Sequence, residues 1–168
     1  YDDLKRSYLF DSSNIATLIN LGAVCDEIGK GDETLIYLEK AAQLSPNEIG
    51  VIVNIGFKYQ DMGEHELAIS YFDKALKIQP GEPYALNNRA YSKYILGDLK
   101  SALKDVNESL DTYPGNAYAY RNRALINIAL KDYKSACEDI TNALNNQFTQ
   151  QYGEEVQKLA DKYCVEKK

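Results

Sequence analysis

The sequence predicts an all-α fold of stacked antiparallel helical hairpins, and three regularities predict it. Pro46, Pro80 and Pro114 stand 34 residues apart, and Gly29, Gly63 and Gly97 keep the same interval. Between these marks run two apolar segments of helical period, one ending at the glycine and one at the proline. In residues 49–82 they are Ile52, Ile55, Gly56 and Tyr59, then Ala68, Phe72, Ala75 and Leu76. Proline cannot continue a helix and glycine is favoured just past a helix end, so each period reads as helix, tight turn, helix, stop. One hairpin cannot bury its apolar stripe alone, so units of constant length must stack into a solenoid.

In chain order, residues 1–14 come first, with Leu4 at the place of Phe72 and Ser7 at that of Ala75. They read as the second helix of a truncated preceding repeat. Four units follow without insertion or deletion, at 15–48, 49–82, 83–116 and 117–150. The last has Lys131 for the turn glycine and Phe148 for the closing proline. In 151–168, Tyr152, Val156, Leu159, Ala160 and Tyr163 recur on one helical face, opposite Glu154, Glu155, Lys158 and Asp161. This stretch reads as a C-terminal capping helix that keeps the last apolar face from water.

The residues resemble the tetratricopeptide repeat family, with its W-x2-L-G-x2-Y, A-x3-F and P pattern. Residues 49–82 carry it as Ile52, Ile55-Gly56, Tyr59, Ala68, Phe72, Ala75 and Pro80. The unit before has Leu18, Leu21-Gly22, Cys25, Thr34, Leu38, Ala41 and Pro46, departing at Cys25 and Thr34. The later units show Leu86, Arg89-Ala90, Ala102, Val106 and Pro114, then Tyr120, Arg123-Ala124, Ala136, Ile140 and Ala143. The resemblance covers residues 15 to 148 and implies a right-handed α-solenoid that binds protein partners without catalysis.

Composition agrees with that class. The 168 residues are 45% hydrophobic and 26% charged with a formal net charge of -6, which favours neither nucleic acid nor an anionic membrane as partner. No apolar run approaches the roughly 18 residues of a membrane span. The chain opens on Tyr1, which suggests that the N-terminus of the full protein is missing, and an intracellular setting is favoured. Cys25, Cys137 and Cys164 are odd in number and form no CxxC pair, so they read as small buried apolar residues and not as a disulfide framework or a zinc site. His65 is the only histidine, and no phosphate-binding glycine loop, HExxH, GxSxG or EF-hand pattern occurs. The sequence therefore calls for no metal, no cofactor and no enzyme.

The resemblance implies that the first helices line a concave groove for an extended peptide or partner segment. Asn20, Asn54, Asn88 and Asn122 hold one position there in all four units. An amide with two donors and an acceptor suits either a peptide backbone or a bond that sets the stacking of helices. Beside them lie Ala23, Asp26 and Phe57, then Tyr84, Tyr91, Tyr94, Tyr118 and Arg121, so the groove is small and acidic at its start and aromatic further on. Aromatic side chains and arginine anchor interfaces, although tyrosine also serves packing. A standard clamp for chaperone C-terminal carboxylates is not expected, because Val53, Phe57, Tyr118 and Asn122 stand where its cationic and amide residues should. Spacer or self-assembly roles, or regulation of a larger enzyme or signalling protein, are the alternatives.

One pattern separates the units. Arg89 and Arg123 replace Leu21 and Ile55, and sixteen residues later Asp105 and Asp139 replace Tyr37 and Tyr71. Charges at a packing position are tolerable only in pairs, since an uncompensated buried ion costs several kcal/mol. The swap predicts two ion pairs inside their hairpins, Arg89 with Asp105 and Arg123 with Asp139.

Overall fold

A computed structural model describes residues 1–164, which divide into two compact units, Tyr1–Pro80 and a second that begins at Gly81. The first holds α1 (Asp2–Phe10), α2 (Ile15–Glu27), α3 (Gly31–Leu44), α4 (Ile49–Asp61) and α5 (His65–Ile78). The second holds α6 (Pro83–Ile95), α7 (Leu99–Thr112), α8 (Ala117–Ala129), α9 (Tyr133–Asn145), α10 (Phe148–Tyr152) and α11 (Glu155–Tyr163). First helices of the hairpins begin at Ile15, Ile49, Pro83 and Ala117, and second helices at Gly31, His65, Leu99 and Tyr133, all at the interval of the sequence repeat.

Local chemistry sets these ends. Asn14, Asp98, Asn116 and Asp132 accept a bond from the backbone N–H three residues on, as does Glu82 ahead of Pro83. At the hairpin turns Gly29, Gly63 and Gly97 have φ of 75°, 82° and 84°. Lys30, Glu64 and Asp98 then donate backwards to the carbonyls of Cys25, Tyr59 and Lys93, closing the first helix. The fourth turn repeats the bond, Asp132 to Asn127, with Lys131 forced to φ 63°.

Packing inside a hairpin depends on one small residue of the first helix. A Cβ on Gly56 would lie 2.7 Å from the Phe72 ring, which is fully buried. Ala90 and Ala124 hold the same place opposite the smaller Val106 and Ile140. In the first unit the core runs through Leu18, Leu21, Cys25, Leu38, Ala41, Val51 and Ile55. In the second it runs through Ala90, Ala102, Val106, Ala119 and Ile126, and through Ala124, Ile140, Ala143, Phe148 and Val156.

The C-terminal cap differs from the single helix expected over 151–168. Gly153, at φ 86°, breaks it into α10 and α11, and residues 165–168 lie outside the described residues. Phe148 and Val156 close the last apolar face, being 2% and 0% exposed. The reading of the cysteines is corrected too: Cys25 is free and buried, but Cys137 of α9 and Cys164 just past α11 form a disulfide across 27 residues of sequence. No sequence spacing announces that bond, because it depends on α11 folding back onto α9.

Candidate functional site

In the first unit, α2, α3 and α4 enclose an open pocket of about 380 Å³. Gly22, Thr34, Leu38 and Lys58 are its buried residues, and Thr34 Oγ1 donates to the Gly22 carbonyl at 3.1 Å. Asn54 and Phe57 line it from α4, both exposed, with Phe57 at 46%. Asp26 and Glu27 line it from the end of α2. Lys58 Nζ donates to Asp26 and lies 3.8 Å from Asp61. Asn20 is exposed on α2 and is not among the lining residues.

In the second unit the corresponding faces of α6 and α8 are more occupied. Arg121 Nη1 donates to Asn122 Oδ1 at 2.8 Å, Asn122 Nδ2 to Asn87 Oδ1 at 2.9 Å, and Asn87 Nδ2 to Asn88 Oδ1 at 3.2 Å. Asn122 is 5% exposed and joins two helices through this chain of amides, whereas Asn88 is half-buried. The Arg121 guanidinium lies 5.2 Å from the Tyr91 ring centre and donates to Glu155 of α11 at 2.5 and 3.2 Å. Tyr118 has Tyr152 and Phe148 around it, at 4.2 and 5.4 Å between ring centres. Burial there, with a hydroxyl bond to Tyr152, pushes its phenol above the usual range. Tyr84 remains 53% exposed beside Tyr113, and the Tyr91 and Tyr94 rings lie 6.2 Å apart.

The ionic residues lie inside the hairpins. Arg89 Nε and Nη2 donate to Asp105 at 2.7 and 2.8 Å, and Lys93 Nζ adds a third bond at 2.8 Å. Arg123 Nε and Nη2 donate to Asp139 at 2.9 and 2.6 Å, with Asn127 Nδ2 at 2.9 Å and Arg123 Nη1 reaching Asn107 at 2.8 Å. Asp105 and Asp139 are 3% and 2% exposed. Burial pushes the Asp139 carboxyl above its ordinary value, against the pull of Arg123 and Asn127. Among the described residues no cluster of His, Cys, Asp and Glu could hold a metal ion, and no helix is long and apolar enough to cross a membrane.

Residues 49–82 match the family model described as tetratricopeptide repeat. The chain carries a tetratricopeptide repeat. Among solved structures, a crystal structure of MamA is 19% identical over 88% of this chain and 86% of its own, with a TM-score of 0.69. MamA 41-end from Desulfovibrio magneticus RS-1 is 20% identical over 89% and 87%, with a TM-score of 0.66. A chain of the APC/C hetero-tetramer Cut9-Hcn1 reaches a TM-score of 0.81 at 17% identity, over 90% of this chain and 29% of its own. At these identities the likeness is one of fold, an all-α repeat solenoid. No curated protein matches the sequence.

Across the four 34-residue units a third column moves with the arginine and the aspartate. Cys25 and Tyr59 stand where the later repeats have Lys93 and Asn127. The apolar versions are Leu21, Cys25 and Tyr37, then Ile55 with Tyr59 stacked on Tyr71 at 5.3 Å. The polar versions are the two networks around Asp105 and Asp139. Comparing the four copies at this column would have identified Lys93 and Asn127.

Proposed function

We propose that this chain is a non-catalytic protein-interaction module that holds an extended segment of a partner on the faces of its first helices. The observation that carries the reading is Phe57, half exposed beside Asn54 on an open pocket that the buried Gly22, Thr34 and Leu38 also line. An aromatic anchor next to an amide offers apolar area to a side chain and hydrogen bonds to a peptide backbone, whatever its sequence. In the second unit Tyr84, Asn88, Tyr91 and Tyr94 take this role. Arg121 and Tyr118 are already engaged by Glu155 and Tyr152 of the cap, so a partner would have to displace those groups to use them.

The test is a peptide selected from a random display library on the whole chain, with affinity then measured for Asn54→Ala/Phe57→Ala and Tyr91→Ala/Tyr94→Ala. Loss of about 1.4 kcal/mol or more, tenfold in affinity, in either variant with unchanged circular dichroism is the expected result. Full affinity in both folded variants sinks the reading.

A further inference from the structure

The pocket of the first unit has a charge pattern that names the chemistry of its occupant. Asp26 and Glu27 end α2, whose last turn holds no basic residue. Their carboxylates add to the partial negative charge of the helix dipole at its C-terminal end. Lys58 and Lys30, the lysines nearest in this stretch of sequence and on the pocket wall, are both engaged. Lys58, with its side chain 11% exposed, serves both Asp26 and Asp61. Lys30 turns towards α1, where Nζ donates to the Tyr1 hydroxyl at 3.3 Å, lies 4.4 Å from the centre of that ring and stands 3.8 Å from Glu33. Glu27 is exposed at the pocket.

The same sign holds at larger scale. Residues 1–80 contain 13 Asp and Glu against 7 Lys and Arg, while residues 81–168 contain 12 of each. The net charge of -6 therefore belongs to the unit that owns this pocket, and it raises the local concentration of cationic partners. The pocket is not purely ionic, since Phe57, Ala23 and Leu38 give it apolar walls. A long aliphatic stem ending in a cation satisfies both halves, burying methylenes against the ring while the head stays wet.

We propose that this pocket takes an arginine or lysine side chain of an extended partner segment, its stem against Phe57 and its head at Glu27. The inference rests on the groove reading above and adds the partner's charge. The test uses three end-blocked heptapeptides, Ser-Gly-Phe-Arg-Phe-Gly-Ser and its relatives with Gln or Glu in place of Arg, titrated into the whole chain by calorimetry. The arginine peptide should bind about fivefold more tightly than the glutamine one, and the glutamate peptide more weakly still. Glu27→Lys, a surface change that leaves the core untouched, should abolish that order, and Phe57→Ala should weaken all three. Equal binding of the three peptides, or an arginine preference that survives Glu27→Lys, overturns the inference and leaves the groove reading standing. No binding by any peptide overturns both.

Discussion

Arg89 lays two guanidinium nitrogens on the carboxylate of Asp105, at 2.7 and 2.8 Å, in a site where the aspartate is 3% exposed. Planar bidentate pairing is the strongest form of this contact, yet removing two charges from water offsets much of it. The partners therefore need each other more than the fold needs the pair. Asp105→Ala should cost about 3–5 kcal/mol in chemical denaturation, because Arg89 and Lys93 lose their common partner. The triple change Arg89→Leu, Lys93→Cys and Asp105→Tyr, which copies the first repeat, should recover most of that loss. A triple variant no more stable than Asp105→Ala would show that the networks are not interchangeable.

The helix caps give the protein a defined acid response. Hydrogen bonds from Ser101 hold the Asp98 carboxyl below its ordinary value, and those from Ser135 do the same for Asp132. A carboxyl with a lowered folded pKa contributes stability above the unfolded carboxylate range, and that contribution is lost as pH falls through the folded value. Asp98→Ala and Asp132→Ala should each lower the thermal midpoint at neutral pH. The gap to the parent should close as pH is taken from about 5 down through the carboxylate range. A gap independent of pH would mean that the caps act through the backbone alone.

Lys131 occupies the turn position that Gly29, Gly63 and Gly97 hold in the other repeats, at φ 63°. A side chain in this left-handed region costs roughly 1–2 kcal/mol, and glycine returns part of the gain through a looser unfolded chain. Lys131→Gly should therefore stabilise the second unit by about 0.5–1 kcal/mol in urea denaturation. Lys131→Val, β-branched at the same φ, should destabilise it, and the pair of opposite signs separates backbone strain from loss of the charge.

The repeat made most of this architecture readable, because every position comes with three internal controls. Helix starts, turn glycines and the joint exchange of Arg89 with Asp105 all follow from comparing columns. The asparagine column was harder to read, since identical residues sit in different surroundings. Asn122 is buried because Asn87 accepts its amide proton, whereas the position matching Asn87 in the first repeat is Ile19, which offers an amide nothing. Arg121 looked free in sequence because Glu155 reaches it only after Gly153 has broken the cap into two helices.

The same break brings Cys164 to Cys137, and this bond should decide how firmly the cap stays in place. Closing a loop of 27 residues restricts the unfolded chain by about 3.5 kcal/mol on the entropic account. What that restraint protects is Phe148 and Val156, which leave water only while α10 and α11 rest on the last hairpin. Under non-reducing denaturation the chain should present one reactive thiol, Cys25, and three after reduction. Cys164→Ser should lower the unfolding free energy by about 3 kcal/mol and expose the α9 and α11 amides to hydrogen exchange, leaving those of α2 to α5 unaffected. Three reactive thiols in the unreduced chain would remove the bond from the account, and unchanged exchange in Cys164→Ser would assign the hold on the cap to Phe148, Val156 and the Arg121–Glu155 pair alone.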